Sequence, residues 1–218
     1  MVNLEIAARI NEVKYDVFRW RYELTISKKV ALAVGMAALT GILAQVKIIN
    51  PLMPEIPITG QTFAVLLAGV LMGKRWGGVS MAIFAGLGFM GVPWFSGWAS
   101  GFGTTGGYII GFILAALFLG HFTDKYIRSR SFISMLGLML FANFILIWVP
   151  GLLWLGLWRT IVAGTPVALI SLFVGSIPFI PGDIIKAVAA AAIARGVTPK
   201  SAYNGEVDKG KWASWRIP

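Results

Sequence analysis

Long apolar stretches separated by short groups of charged residues restrict the folds open to this chain. The stretches cover residues 30–46, 62–72, 77–92, 108–122, 132–149 and 152–194. A helix needs about 20 largely apolar residues to cross the hydrocarbon of a bilayer. Hydrophobic residues make up 57% of the 218 positions and charged residues only 13%, whereas a soluble domain carries about 25% charged residues. The pattern predicts an all-α integral membrane protein.

Two of the stretches are short, and the basic pair Lys74 and Arg75 lies between them. Because two cations at the centre of a bilayer are costly, we expect two spans joined by a tight turn rather than one long helix. Prolines interrupt the last stretch, where we expect an external or re-entrant helix over about 159–175 and then a span over about 181–195. The sequence thus predicts six transmembrane helices.

The distribution of Lys and Arg predicts the orientation. Placing the connecting segments alternately on the two sides of the membrane leaves 16 of the 19 basic residues on one side and only Lys47, Arg159 and Lys186 on the other. Basic residues gather on the cytoplasmic side, so we expect both chain ends in the cytoplasm. The net charge of +10 is explained in this way, without a nucleic-acid partner.

Three regions follow from these spans. We expect a cytoplasmic amphipathic helix over residues 1–28, a six-helix membrane domain over 29–196 and a cytoplasmic tail over 197–218. The first region is either an ordinary solvated helix or one that lies on the inner membrane surface. In the second case anionic lipid would hold its basic side chains, which are Arg9, Lys14, Arg19 and Arg21.

Several kinds of chemistry find no support in the residues. The chain has no cysteine and a single histidine, His121, so a metal site is not expected. A Walker sequence and a G-x-S-x-G motif are both missing from the sequence, which argues against ATP hydrolysis and serine catalysis by this chain. We therefore expect no cofactor and no catalytic residues.

Asp183 and Lys186 are the most informative polar pair. They follow Pro181 at a predicted helix start, and residues three apart lie on one helix face. The pair is either a helix cap with an intrahelical ion pair or a ligand-binding site at a membrane helix end. Asn143 and Gln61 are also open to two interpretations. Each either binds a ligand or joins helices by a hydrogen bond.

Small residues recur in the first span. Ala33-x-x-x-Ala37 permits another helix to approach closely. This motif serves either internal packing or the docking of a partner subunit, and its spacing alone does not decide between them.

Three motifs resemble the BioY family, the biotin-specific S components of energy-coupling factor (ECF) transporters. They are PITGQTFAVLLAGVLMG, GTTGGYIIGF and PFIPGDIIK, and they occur in the family's order. Thr104 departs from the family's pattern, which has Pro at this position.

The resemblance implies an S component in the cell (plasma) membrane that binds biotin from the outer side. Partners would be a transmembrane coupling protein, a pair of cytoplasmic ATPases and membrane lipid, with Ala33 and Ala37 as the docking face. Biotin would be the transported ligand, bound by Asp183 and Lys186. The same resemblance assigns the shape of the pocket to Thr59, Gln61, Gly106, Gly107 and Tyr108.

Two alternatives belong to other classes of protein. A stand-alone secondary transporter or channel for a small vitamin or organic anion would show flux without ATPases. A membrane-embedded lipid-modifying enzyme, with Asp183 as its base, would form a product. An S component instead binds its ligand tightly and stoichiometrically.

Overall fold

The structure, a computed structural model, describes residues 2–203 and 205–209 as a mostly helical chain. The predicted tail over 197–218 therefore lies partly outside the described residues. The helices are α1 (Val2–Glu23), α2 (Ile26–Gln45), α3 (Gln61–Phe89), α4 (Gly106–Lys125), α5 (Phe132–Phe141), α6 (Trp148–Ile161), α7 (Leu169–Ser176) and α8 (Ile180–Val197). The connecting elements are the antiparallel ladder of β1 (Lys47–Ile48) and β2 (Ile58–Thr59), a π-helical segment (Ala142–Ile147), and 3-10 turns at Ile127–Arg130 and Ile177–Phe179.

Four helical stretches in the described part of the chain are long and apolar enough to cross a membrane. They are Ile26–Gln45, Gly106–Lys125, Phe132–Ile161 and Leu169–Val197. The predicted external helix over 159–175 is wrong, because α6 continues to Ile161 and α7 begins only at Leu169. Pro178 and Pro181 lie in the first turns of helical segments, where the missing N–H is tolerated, and they do not end the helical run. Pro166 instead lies in the non-helical segment between α6 and α7.

Helix α3 reverses direction at Gly73. The φ of 76° and ψ of 177° at this residue are not helical, and a positive φ favours glycine. A Cβ added to Gly77 would lie only 2.9 Å from the carbonyl oxygen of Ala68, so the segment after Gly73 packs directly on the segment before it. The tight turn expected beside Lys74 and Arg75 is present.

Close packing of α3 against α4 forms the centre of the core. A Cβ added to Gly69 would lie 2.6 Å from the carbonyl oxygen of Ala116, and one added to Gly120 would lie 2.4 Å from the amide nitrogen of Lys74. Such glycines let two helix backbones approach closely. We call the end of the bundle that carries Gly73 the basic end, and the end formed by loops 46–60, 90–105 and 162–168 the loop end.

Helix α1 packs on the basic end through one face. Phe18 on this face is only 2% exposed. Arg21 on the same face turns inward, and its guanidinium donates to the carbonyl oxygens of Val70 and Leu71 at 2.9 and 2.7 Å. A second face is apolar and exposed, as the amphipathic pattern predicts. Its side chains, between 49% and 56% exposed, are Ile6, Ile10, Val13, Val17 and Trp20.

The tail folds back onto the same end. The Arg21 guanidinium donates to the hydroxyl of Tyr203 and to the carboxylate of Asp124, both at 2.6 Å. Burial raises the pKa of the Tyr203 phenol, so the hydroxyl stays neutral and both accepts and donates. Glu206 forms a buried ion pair with Arg130 at 2.5 Å. The two ends of the described chain are therefore joined at the turn around Gly73.

Candidate ligand-binding site

A cavity opens at the loop end between the helices and the loops that cap them. The space within it, including the opening to solvent, is about 620 Å³. The lining residues are Ile56, Pro57, Ile58, Thr59, Gln61, Thr62, Phe95, Ser96, Thr105, Tyr108, Ile109, Phe112, Ile147, Trp148, Phe179, Asp183 and Lys186.

Asp183 is the polar centre of this cavity. Its Oδ2 accepts hydrogen bonds from Nδ2 of Asn143 at 2.8 Å and from Nε1 of Trp148 at 2.9 Å. Its Oδ1 pairs with Nζ of Lys186 at 2.6 Å. The residue is only 5% exposed, and a buried carboxylate is tolerated when charge and hydrogen bonds compensate its lost hydration. The expected pairing of Asp183 with Lys186 is present.

The π-helical segment explains how Asn143 and Trp148 reach the same carboxylate. Residues five apart point in different directions on a regular α-helix, where the turn is 3.6 residues. A π-helical turn is wider and pairs residue i with i+5, and the segment Ala142–Ile147 spans this interval. Pro150 lies one turn later and cannot donate to the carbonyl of Leu146. The local widening therefore directs both donors to the carboxylate of Asp183.

Lys186 connects α8 to the loop before α3. Its Nζ donates to the carbonyl oxygen of Thr59 at 3.0 Å, which lies at the end of β2. The hydroxyl of Thr59 in turn donates to Oε1 of Gln61 at 3.0 Å. Because an ammonium group has three donors, Lys186 retains a hydrogen-bonding position beyond Asp183 and Thr59. A ligand acceptor is able to use it.

Several buried polar atoms lack a partner. The hydroxyls of Thr62 and Ser96 and Oδ1 of Asn143 are buried and make no hydrogen bond to the described residues. Leaving such a group unpaired costs about 1–3 kcal/mol. Thr62 and Ser96 line the cavity, so a ligand that supplies hydrogen bonds there would relieve the cost. Ser96 was not identified from the sequence, because a serine in a Gly-rich and Trp-rich loop has no distinctive pattern.

Aromatic side chains form the apolar wall. Phe95 is 4% exposed and its ring lies 5.3 Å from that of Phe84 and 5.5 Å from that of Phe89. Gln45 holds the loop that carries Phe95, because its Nε2 donates to the Phe95 carbonyl at 3.1 Å and its Oε1 accepts from the N–H of Trp98 at 3.0 Å. Sequence reasoning missed Gln45, whose partners lie about 50 residues further along the chain.

The mouth of the cavity is joined by polar contacts. Arg159 and Glu55 form an ion pair there. Thr104, which stands where the resemblance expects Pro, donates from its hydroxyl to the carbonyl oxygen of Glu55 at 3.3 Å. Proline has no such donor, so the departure at Thr104 adds a link between loops 46–60 and 90–105 in this chain.

Gly106 and Gly107 contact α6 rather than the cavity. A Cβ added to Gly106 would lie 2.9 Å from Nε1 of Trp154, and one added to Gly107 would lie 2.2 Å from the carbonyl oxygen of Pro150. Neither glycine is among the residues that line the cavity. They permit α4 to approach α6 and so position Tyr108, which does line it. A direct ligand contact by the two glycines stays a prediction.

Ala33 and Ala37 lie on the buried face of α2. Both are 0% exposed, and Ala37 belongs to the main core. In this conformation their methyl groups contact the rest of this chain rather than a free surface. A docking role for them stays a prediction, and it requires α2 to move. Ala31 and Gly35, which repeat the small-residue spacing on the opposite face, are exposed.

The structure brings six of the predicted site residues together and leaves Gly106 and Gly107 outside the cavity lining. Those that the structure brings together around the cavity are Asp183, Lys186, Thr59, Gln61, Tyr108 and, behind Asp183, Asn143. Trp148 joins this group, because its indole N–H donates to Asp183.

Comparison with known proteins identifies the family of this chain. Residues 13–203 match the model of the BioY family. The chain belongs to the BioY family. A protein of Methanothermobacter thermautotrophicus named "Probable biotin transporter BioY" is 51% identical over 157 residues, which cover 70% of this chain and 100% of that protein. The "Biotin transporter BioY" of Rhizobium etli is 30% identical over 175 residues, covering 73% of this chain and 90% of that protein.

A solved structure is also similar. It is a crystal structure of the S-component for biotin from an ECF-type ABC transporter, with 27% sequence identity and a TM-score of 0.67. The match covers 79% of this chain and 93% of the other. These relatives are named as transporters, which argues against the lipid-modifying enzyme among the alternatives.

Proposed function

We propose that this chain is the biotin-binding S component of an ECF-type importer. The observation that carries the proposal is the buried Asp183–Lys186 pair at the centre of an aromatic-walled cavity. Biotin has a neutral ureido ring with two N–H donors and one accepting oxygen, an apolar thiophane ring and an anionic valerate. Its ring system therefore offers a partner for each kind of group that the cavity presents.

The ureido ring is the part of biotin that meets the charged pair. Its N–H donors suit Asp183 and its oxygen suits Lys186, whose Nζ lies 2.6 Å from Asp183. Both charges are then hydrogen-bonded by a neutral group, and hydrogen bonds to charged groups contribute about 1.5–3 kcal/mol each. Inserting the valerate instead would place a second carboxylate beside Asp183. The thiophane ring would contact the aromatic wall, with the valerate toward the opening.

Titration of the purified protein with biotin tests the function. We expect saturable, stoichiometric binding that Asp183→Asn and Lys186→Ala each weaken by more than about tenfold, or roughly 1.4 kcal/mol. Asp16→Asn and Lys28→Ala make the same chemical changes at exposed positions of the chain and serve as controls. Absence of binding by folded wild-type protein would contradict the biotin assignment, and equal effects of the control variants would contradict the site.

Two biotin derivatives test the orientation of the ligand. Biotin amide removes the valerate charge, and 2-iminobiotin replaces the ureido oxygen. We expect the amide to bind within about threefold of biotin and the imino compound to lose at least about tenfold, roughly 1.4 kcal/mol. The reverse order would place the valerate at Lys186.

The membrane arrangement follows from the same proposal. We infer six spans, in which the two segments of α3 on either side of Gly73 each count as one. Both chain ends and the basic end face the cytoplasm, since Lys74, Arg75 and Lys125 lie there. The loop end opens outward from the plasma membrane. The regions 1–28, 29–196 and 197–218 keep the roles expected from the sequence.

Partner subunits complete the importer in this proposal. A transmembrane coupling protein and a pair of cytoplasmic ATPases supply the energy, because this chain has no nucleotide-binding motif of its own. Liposomes that contain this chain alone are expected to bind biotin without accumulating it. Accumulation by the chain alone would favour the secondary transporter instead.

A further inference from the structure

A second cavity, at the basic end, carries an excess of positive charge. It lies between α1, α2, the turn of α3 and the last turn of α4, and five of its lining residues are cationic: Arg21, Lys29, Lys74, Arg75 and Lys125. A single carboxylate, that of Asp124, faces them. We refer to it as the basic cavity.

The one carboxylate does not neutralise the cluster. Asp124 pairs with Arg21 at 2.6 Å and accepts the backbone N–H of Lys74 at 2.9 Å. In the part of the chain that the structure describes, no ion pair joins the side chains of Lys74, Arg75 or Lys125 to a carboxylate. At least three cations therefore face a common space without an anion of this chain.

Arg21 adds an unsatisfied donor at the wall. Its side chain is 11% exposed, and its Nε–H is buried without a hydrogen-bond partner among the described residues. A buried donor without a hydrogen-bond partner destabilises the fold. An oxyanion in the basic cavity would supply an acceptor and offset the charge of the lysines.

The surroundings of the basic cavity are apolar. Met72 and Trp76 line it, and the exposed apolar face of α1, which includes Val17 and Trp20, lies on one of its bordering helices. Tryptophan is typical of the membrane–water interface, and basic pockets between membrane helices bind anionic lipid head groups. A free solute would not require the apolar border.

We propose that the basic cavity binds the phosphate of an anionic phospholipid head group. The acyl chains lie along the apolar face of α1, and the phosphate bridges Lys74, Arg75 and Arg21. The bound lipid holds α1 and the turn at Gly73 together. A free phosphate would present the same oxyanion to these cations. Only the lipid adds apolar contacts.

Native mass spectrometry of the whole chain in detergent tests this proposal. The probes are short-chain phosphatidylglycerol, phosphatidylcholine with the same chains, and inorganic phosphate. We expect phosphatidylglycerol to bind at least about tenfold more tightly than either of the others, roughly 1.4 kcal/mol. The double variant Lys74→Gln/Arg75→Gln is expected to remove this preference, whereas Lys74→Arg retains it.

Arg195→Gln/Lys200→Gln removes two exposed cations elsewhere and is the matched control. Thermal unfolding of each variant establishes that it is folded. Equal binding of the two lipids, or an equal loss in the control, overturns the proposal. Binding of inorganic phosphate as tight as that of phosphatidylglycerol overturns the lipid as the source. None of these outcomes depends on biotin binding or on the orientation of the chain.

Discussion

At the scale of single residues, Asp183 combines structural and functional roles. Three side chains satisfy its carboxylate, and they come from α8, α6 and the π-helical segment. Because the charge is buried, each partner contributes more than it would at the surface. Changing one partner therefore alters both the fold around the cavity and the field that a ligand meets.

The indole N–H of Trp148 offers a conservative test of this network. Trp148→Phe retains an aromatic ring and removes one donor from Oδ2 of Asp183. We expect biotin affinity to fall by about tenfold, because a hydrogen bond to a charged group contributes about 1.5–3 kcal/mol. Calorimetric titration measures the change in affinity, since it does not depend on the tryptophan fluorescence that this substitution alters. Trp158→Phe, on the same helix but outside the cavity lining, should leave the affinity unchanged.

Local spacing explains which site residues the sequence could predict. Asp183 and Lys186 are three positions apart after a proline, so their pairing follows from helix geometry alone. Trp148 could not be assigned, since its direction depends on the π-helical segment before it. Gln45 and Ser96 depend on how a distant loop folds. Patterns of residues close together in the sequence do not predict contacts of this kind.

At the scale of helices, glycines set the distance between α4 and its neighbours. Gly107 faces the carbonyl oxygen of Pro150, and Gly111 faces that of Leu146, with an added Cβ at 2.2 and 2.6 Å respectively. These two glycines lie one turn apart, so they let the backbone of α4 approach α6 along a shared line. The sequence revealed the glycines, but not the helix that they contact.

A substitution at Gly107 distinguishes packing from ligand contact. Gly107→Ala introduces a methyl group into an occupied position, and overpacking costs about 1–3 kcal/mol. We expect a lower midpoint of thermal unfolding in detergent together with weaker biotin binding. Gly137→Ala is the control, since an added Cβ at Gly137 has no neighbour within 4 Å. Weaker binding with an unchanged midpoint would instead indicate direct contact between Gly107 and the ligand.

The ion pair of Arg21 and Asp124 at the turn around Gly73 leads to a second prediction at this scale. Asp124→Asn leaves the guanidinium of Arg21 buried without its carboxylate, and such a loss costs about 3–5 kcal/mol. The midpoint of thermal unfolding should therefore fall markedly. The exposed pair of Arg19 and Glu23, with side chains 61% and 60% exposed, provides the comparison. Glu23→Gln should change the midpoint little, because exposed pairs contribute about 0–1 kcal/mol.

At the scale of the whole molecule, apolar length predicts individual spans better than it predicts the path of the chain between them. The spans near 30–46 and 108–122 correspond to α2 and α4. The expected helix over 159–175 is wrong, because Pro166 lies in a non-helical segment that separates α6 from α7. Pro178 and Pro181, by contrast, lie in first turns and do not break the helical run. The inward direction of Arg21 was also outside the reach of sequence patterns, since its partners are 49 to 182 residues away.

Single cysteines test the orientation directly. The natural chain contains none, so each variant carries one thiol and no background. Ser100→Cys lies in an exposed loop at the loop end and Lys200→Cys follows α8 at the basic end. In intact cells we expect a membrane-impermeant maleimide to label the first and to label the second only after permeabilisation. The opposite pattern would invert the proposed topology.

The link between Arg21 and Tyr203 also bears on how the protein is made. These residues are separated by 182 positions, which a ribosome traverses in roughly 10 to 40 s at about 5–20 residues per second. During this interval α1 lacks one of the partners that hold it in place. Nascent chains that stop before Tyr203 lack this hydrogen bond and hold Arg21 only through Val70, Leu71 and Asp124 among its distant partners. Tyr203 is thus the last of these Arg21 partners to be synthesised.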